Sequence, residues 1–251
     1  MTLSEGGAAA MPASAVVLAA GLGKRMRPLT DVVPKPLVPV AGRPLIDHGL
    51  DALARAGVDH AVVNVHHLAD KLIDHLGARR DVAITISDER DRLLDSGGGV
   101  AKAMRAARPG PVLLVNADTF WRDAPGVDNL RALAAAWDPD RMDMLLMLAP
   151  LDRAVGHTGA GDFAFVGDGT RLDWSREGHV YAGAAIVSPA IMRGDEPEVH
   201  SFKLHFDRAV ESGRLHGMLM DGLWLTVGTP GAIGEAEDAL ASYEDRTSNA
   251  A

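Results

Sequence analysis

The stretch Ala15-Val16-Val17-Leu18-Ala19-Ala20-Gly21-Leu22-Gly23-Lys24-Arg25-Met26-Arg27-Pro28-Leu29-Thr30 decides how the chain is read. Its first six residues are uninterruptedly apolar, the composition of a strand buried on both faces of a parallel sheet. Gly21 and Gly23 then break the run, permit positive φ and let backbone approach a ligand closely. Successive N–H groups in such a turn make an anion-binding nest. Lys24, Arg25, Arg27 and, further on, Lys35 place four cations in one loop. The 251-residue chain is nevertheless acidic, with 25 Lys and Arg against 34 Asp and Glu and a formal net charge of -9. A local reversal of sign in an acidic protein points to a polyphosphate. The plain alternative is a solvated basic loop.

Two familiar glycine-rich patterns do not fit. A P-loop needs Gly five residues before Gly23 and Ser or Thr after Lys24, where Arg25 stands. A dinucleotide fingerprint needs a third glycine opening a helix. Met26 occupies that position, and Pro28, Pro34, Pro36 and Pro39 forbid the helix.

Working outward, Pro44 to Ala56 reads as an amphipathic helix ending before Gly57. His60–Val65, Val82–Ile86, Pro111–Val115 and Met142–Leu148 read as strands. Leu68–Leu76, Gly97–Ala107 and Asn129–Trp137 read as helices between them. That alternation predicts βαβ units and a parallel sheet. After Pro150 the pattern is mixed. A hairpin is expected from Asp162–Val166 and Arg171–Trp174, and strands at His179–Val187, Leu215–Met220 and Leu223–Val227. Helices are expected at Phe202–Ser212 and Pro230–Tyr243. This half is expected to extend the same sheet. The fold class is therefore α/β, a Rossmann-like, mixed but mainly parallel sheet with helices on both faces. Residues 15–245 read as a single domain, 1–14 as a flexible extension and 246–251 as a flexible tail.

Composition narrows the classes of function. The acidic balance excludes a non-specific nucleic-acid binder. No run of 18–20 apolar residues is available to span a membrane. With no cysteine, disulfide scaffolds and thiolate metal sites are excluded. A reducing, cytoplasmic location fits. No six-residue repeat of a left-handed β-helix is present, and the sequence leaves the oligomeric state open.

Two further segments carry chemistry. Asn116-Ala117-Asp118 follows a buried strand, so Asp118 stands on the ligand face of an α/β sheet. A hard oxygen donor there suits Mg²⁺, which binds one or two carboxylates together with substrate phosphates; the alternative is a turn cap. Leu94-Asp95-Ser96-Gly97-Gly98-Gly99 precedes a helix, and glycines at a helix N-terminus let N–H groups reach a ligand. Here the alternative is a flexible turn with Ser96 as its N-cap. The ten histidines, including His66-His67, show no H-E-x-x-H spacing and read as surface or packing residues.

The chain resembles the sugar-phosphate nucleotidyltransferase family. Leu18 to Met26 match its L-A-A-G-x-G-x-R-[ML] motif, and Pro34-Lys35-Pro36 its following P-K-P. The resemblance runs from about Val16 to about Leu240. It implies that the loop of Ala19, Ala20, Gly21, Gly23 and Lys24 wraps a nucleoside triphosphate. It further implies that Arg25 holds the triphosphate, that Lys35 neutralises the α-phosphate, and that Asp118 is a Mg²⁺ ligand. The second metal carboxylate of the family lies in a W-x-D-V-G-T segment. In Trp224-Leu225-Thr226-Val227-Gly228-Thr229 that position is Thr226, so a weaker metal site is expected rather than none. Asp221, five residues earlier, should face the other way along a strand.

The Leu94–Gly99 run resembles the L-E-T-G-G-G segment of the N-acetylmuramate-1-phosphate uridylyltransferase subgroup. That implies base and ribose contacts at Ser96, Gly97 and Gly98. Gly159–Phe163, Tyr181–Gly183 and Phe202–Leu204 resemble the same subgroup and imply sugar-phosphate contacts at Asp162, Gly183 and Lys203; the alternative for Lys203 is a solvated helix lysine. The expected reaction transfers a nucleotidyl group from a triphosphate, UTP by preference, to a sugar 1-phosphate, N-acetylmuramate 1-phosphate by preference, as in peptidoglycan recycling. Mannose- or heptose-1-phosphate guanylyl- or uridylyltransfer is the alternative, and a non-catalytic nucleotide-sugar sensor a further one.

Overall fold

The computed structural model describes residues 10–167 and 169–248. In chain order the elements are β1 (Ala15–Leu18), β2 (Pro39–Val40), β3 (Arg43–Pro44), α1 (Leu45–Ala56), β4 (His60–Val65), α2 (Ala69–Leu76), β5 (Ala83–Asp88), α3 (Asp95–Met104), β6 (Val112–Asn116) and β7 (Thr119–Asp123). There follow α4 (Asn129–Ala136), β8 (Met144–Ala149), β9 (Ala154–Val155), β10 (Phe163–Val166), β11 (Arg171–Trp174), β12 (Val180–Val187), α5 (Lys203–Glu211), β13 (Leu215–Leu219), β14 (Gly222–Thr226) and α6 (Gly231–Ser248).

Nine strands form one sheet in the order β10-β11-β13-β8-β12-β6-β1-β4-β5. β6, β1, β4 and β5 are mutually parallel, while β12 runs antiparallel to both β6 and β8. The apolar alternation of the central strands explains the two layers of core. Ala15 and Val17 of β1, with Leu113 and Val115 of β6, face α1, α2 and α4 in one cluster. Val16, Val112 and Leu114 face α3 and α5 in the other. Side chains two apart share a face, so each strand serves both layers. Gly57, at φ 96, ends α1, and the Val58 N–H closes back onto the Leu53 carbonyl, the Schellman arrangement that Gly favours.

The expectation that the half after Pro150 extends the main sheet holds for β10 to β13 but not for Leu223–Val227. β14 pairs instead with β7 and β9 in a separate three-stranded sheet. Phe120 and Leu225 of this small sheet pack with Met26, Val40, Ala236 and Leu240 under α6. β7 itself follows directly on Asp118 and has no counterpart among the strands read from the sequence.

The ends also differ in detail. α6 continues to Ser248, past residue 245. Of the extension read at 1–14, residues 1–9 lie outside the described residues, and Ser14 is buried. Its Oγ is 2.8 Å from His60 Nδ1 and accepts the Arg108 N–H at 3.0 Å. Residues 249–251 of the tail read at 246–251 lie outside the described residues. Among the described residues no helix is long and apolar enough to cross a membrane.

Candidate active site

β1 is the point where the parallel strand order turns back, with β4 on one side and β6 on the other. Ligand crevices of open α/β sheets form beyond the carboxyl ends of strands at such a point. Leu18 and Asn116, the last residues of β1 and β6, are register partners. An open cleft of about 270 Å³ lies above them, lined by Leu18, Ala20, Gly21, Asn64, Asp95, Ser96, Asn116 and Asp118 among others.

The glycine loop forms one wall. Gly23 takes φ 61, and a Cβ there would stand 2.8 Å from Thr30 Cγ2 and 3.0 Å from Lys35 Cβ. Its carbonyl accepts both the Thr30 hydroxyl at 2.9 Å and the Met26 N–H at 2.8 Å. Gly23 is therefore a hinge of the loop's own packing. Gly21 is different: it is solvent-exposed, it lines the cleft, and a Cβ there would meet nothing within 4 Å. The space beside Gly21 is open to a ligand. Of the loop cations, Arg27 pairs with Asp31. Lys24 and Arg25 are exposed, and neither makes an ion pair among the described residues. The Arg25 guanidinium lies beside Gly228, about 3.5 Å from where a Cβ would stand. This brings Arg25 next to the Thr226–Gly228 segment.

Lys35 Nζ lies 2.7 Å from Asp118 Oδ2; the lysine side chain is 11% exposed and the carboxylate 42%. The cation is thus nearly dry while the anion faces the cleft. The Asp118 carbonyl accepts the Val227 N–H at 3.3 Å, and Thr226 is the register partner of Thr119. Asp118 and Thr226 therefore come together at the ends of neighbouring strands, half-buried. Asp221 sits at the far end of β14, where it pairs with Arg153, and cannot replace the missing carboxylate. The half-exposed Asp118 carboxylate, with the backbone of Thr226–Val227 beside it, fits Mg²⁺, which keeps waters and takes its remaining oxygens from phosphates.

Several N–H groups read as nucleotide contacts are already engaged. Those of Ala19 and Ala20 donate to Asn64 Oδ1 at 2.6 and 3.2 Å. Asn64 Nδ2 in turn donates to Glu89 Oε1 at 2.8 Å, and Glu89 Oε2 accepts the Leu94 N–H at 3.0 Å. This buried relay fixes the end of β1 against the start of α3. The N–H groups of Gly97 and Gly98 both point at the His200 carbonyl, at 2.9 and 3.3 Å. A Cβ at Gly98 would stand 1.9 Å from the Glu198 carbonyl oxygen. These glycines admit the protein's own 198–200 segment, which caps α3 with backbone instead of leaving its N–H groups for a ligand. Ser96 lines the cleft, but it does not cap α3; its Oγ accepts the Phe202 N–H at 3.0 Å.

A second pocket of about 290 Å³ shares Leu18, Ser96 and Asn116 with the cleft and continues past Asp162, Tyr181 and Lys203. The chain has only five Phe, four Trp and two Tyr, yet Phe163, Trp174, Tyr181, Phe202 and Phe206 all line it. Phe163 stacks on Trp174 at 4.4 Å between centroids. Asp162 Oδ2 accepts the Tyr181 N–H at 2.9 Å. The Tyr181 hydroxyl is buried without a hydrogen-bond partner among the described residues, and burial pushes its pKa upward, so it stays a donor. Lys203 lies 4.6 Å over the Trp174 ring and pairs with Asp207 at 2.7 Å. It stands in the lining of the pocket with its charge shared with Asp207. Gly183, at φ 77, lies where β12 shifts register. A Cβ there would stand 2.3 Å from Thr119 Oγ1 and 3.1 Å from Asn116 Nδ2, so glycine lets the bulge approach the floor of the site. The sequence reading assigned no site role to Asn64, Glu89 or Asn116; the available signal was Asn64 next to the carboxyl end of β4 and Asn116 at the end of β6, polar residues in mainly apolar strands.

A mixed sheet that gathers a glycine loop, a dry lysine and an exposed carboxylate at the carboxyl ends of its parallel strands has the architecture of a nucleotidyltransferase. The chain belongs to the MobA-like NTP transferase domain family, whose profile matches residues 15–153. It is 43% identical over 238 residues to an N-acetylmuramate alpha-1-phosphate uridylyltransferase of Caulobacter vibrioides, covering 92% of this chain and 98% of that one. An enzyme of the same name from Neisseria meningitidis is 33% identical, with 92% and 99% covered. Among solved structures, HddC from Yersinia pseudotuberculosis complexed with GMP-PN shares the fold at a TM-score of 0.72 and 21% identity, covering 90% of this chain and 99% of that one. The chain is an enzyme of the sugar-1-phosphate nucleotidyltransferase class.

Proposed function

We propose that the enzyme transfers the uridylyl group of UTP to N-acetylmuramate 1-phosphate, giving the UDP-sugar and pyrophosphate, in the cytoplasm and in the service of peptidoglycan recycling. The observation that carries this reading is the 43% identity, end to end, with a relative of that name. The second pocket supports it. N-acetylmuramate bears an acetamido methyl and a lactyl ether, which are larger and more apolar than the substituents of mannose. An aromatic lining suits such groups, and Tyr181 and Lys203 add a hydroxyl donor and a cation for a carbonyl and a carboxylate.

The chemistry follows from charge placement. A phosphate oxygen of the sugar phosphate attacks the α-phosphorus, and the bond to the β-phosphate breaks to release pyrophosphate. The attacking oxygen is already ionised near neutral pH, so no general base is required. The protein's work is alignment and neutralisation of negative charge that accumulates at the α-phosphoryl oxygens. Arg25 and Lys24 meet the β- and γ-phosphates at the exposed side of the loop. Lys35 offers a fixed cation from a nearly dry position, where charge interactions are strong. Asp118, with Thr226 beside it, would hold Mg²⁺, which supplies Lewis-acid neutralisation of the phosphates. Lys35 holds Asp118 in place for that purpose. The test is pyrophosphate release with UTP, N-acetylmuramate 1-phosphate and Mg²⁺. Release with a different sugar phosphate or base alone would move the specificity and leave the reaction class.

A further inference from the structure

We propose that Asn64 and Glu89 are positioning residues for the nucleotide, and that their order, amide under the glycine loop and carboxylate under α3, is set by the charge of the triphosphate. The inference rests on the nucleotide seat proposed above and deepens it.

The pair joins the two walls of the cleft. The Ala19 and Ala20 N–H groups donate to Asn64 Oδ1, Asn64 Nδ2 donates to Glu89 Oε1, and Glu89 Oε2 accepts the Leu94 N–H. Ala20 belongs to one wall; Leu93 and Asp95, on either side of Leu94, belong to the other. Asn64 is 3% exposed and Glu89 1%, so water does not repair a lost link. α3 seats directly on the pair: a Cβ at Gly99 would stand 2.8 Å from Asn64 Nδ2 and 3.0 Å from Glu89 Oε1. That accounts for the third glycine of the run whose first two admit the 198–200 segment.

Both ends of this chain of bonds are backbone donors. The pair between them must therefore supply an acceptor at each end and one donor in the middle. One amide with one carboxylate does this. Two amides leave donor against donor at one link, whichever way each is turned, and two carboxylates leave acceptor against acceptor unless one is protonated. The reverse order, carboxylate at 64 and amide at 89, would make the same bonds. Hydrogen bonding thus requires the pair but does not choose its order.

The order decides where the charge lies. Asn64 lines the cleft, whereas Glu89 is not among the lining residues. As it stands, the carboxylate sits at the N-terminal end of α3, where the helix dipole favours it, and a neutral amide stands under the glycine loop. Reversal would put a carboxylate in the lining, facing a polyphosphate where water is scarce and repulsion strong. The dipole by itself also favours the observed order, but only the repulsion predicts an effect on binding.

The test compares the full-length wild type with the reversed pair, Asn64→Asp/Glu89→Gln, by calorimetric titration with UTP and with GTP in the presence of Mg²⁺. The nucleotide that the wild type binds more tightly is the reporter. The reversed pair should keep Tm within about 4 °C of wild type. It should bind the reporter about tenfold more weakly, with the deficit narrowing as salt rises from about 0.05 to about 0.5 M. Glu89→Gln alone, with its mismatched link, should lose more Tm than the reversed pair. Should the reversed pair misfold, Asn64→Ala is the second variant: it withdraws the loop's acceptor without adding charge, and should weaken binding about fivefold, the worth of one hydrogen bond. Gly21→Ala tells the seat from the pair. Unchanged reporter binding in Gly21→Ala would overturn the nucleotide seat and the role of the pair with it. Weakened binding in Gly21→Ala together with wild-type binding in the reversed pair, or in Asn64→Ala, would overturn the role of the pair alone. A wild-type Tm in Glu89→Gln would overturn the pairing rule on which the proposal stands.

Discussion

Lys35 Nζ and Asp118 Oδ2 stand 2.7 Å apart across 83 residues of chain, and the two partners differ in their access to water. Removing one is therefore not equivalent to removing the other. Lys35→Met leaves a carboxylate that water can solvate; Asp118→Ala leaves a nearly dry cation without its partner. Loss of Asp118 should cost about 1–3 kcal/mol of stability and loss of Lys35 less. Both should lower kcat by a hundredfold or more. Urea denaturation beside steady-state rates checks this, and equal stability losses would contradict the asymmetry.

The two loop glycines should separate folding from binding. Gly23→Ala forces a Cβ against buried Thr30 at positive φ, and should cost about 1–3 kcal/mol. Gly21→Ala meets empty space within the protein. Its Tm should stay near wild type while KM for the nucleotide rises several-fold. A normal KM would mean that the nucleotide does not use the space beside Gly21.

Tyr181 offers a similar separation on the sugar side. Its hydroxyl is buried and has no hydrogen-bond partner among the described residues, so Tyr181→Phe should leave stability unchanged or slightly raised. If that hydroxyl meets the sugar, KM for the sugar phosphate rises about three- to tenfold, the worth of one hydrogen bond. An unchanged KM would remove Tyr181 from recognition.

His48 sets an acid limit on stability. It is buried against Phe120, with ring centroids 4.2 Å apart, and burial lowers its pKa from the ordinary 6.5. The unfolded chain takes up the proton first as pH falls. Its contribution is therefore complete above about pH 6.5 and is lost as pH falls through the folded-state pKa. Urea midpoints should decline from pH 7.5 to 5.5, and His48→Gln should flatten that slope. An identical slope in the variant would place the titration elsewhere.

The core of the fold was legible because its strands are apolar runs punctuated by glycine and its helices are amphipathic. β4 and β11 begin and end where the sequence pattern placed them, and β10 begins one residue later than the pattern placed it, at Phe163. β7 was not legible. Only the turn Ala117-Asp118 separates Thr119–Asp123 from β6, and the partner of Thr119, Thr226, lies more than a hundred residues away, a pairing no local pattern encodes. The cations of the glycine loop and the carboxylate after β6 were legible because charge at a strand end is conspicuous. Gly97 and Gly98 misled because glycine reports close approach of backbone but not what approaches; here it is Glu198 and His200.

The most direct test of the central claim is pyrophosphate release by the wild type with Mg²⁺, UTP and N-acetylmuramate 1-phosphate, run beside Asp118→Asn. The predicted result is release that requires both substrates and falls at least a hundredfold in the variant. Release undiminished in Asp118→Asn would contradict the assigned catalytic site. No release with this pair, but turnover with another sugar 1-phosphate or nucleotide, would contradict the proposed substrate.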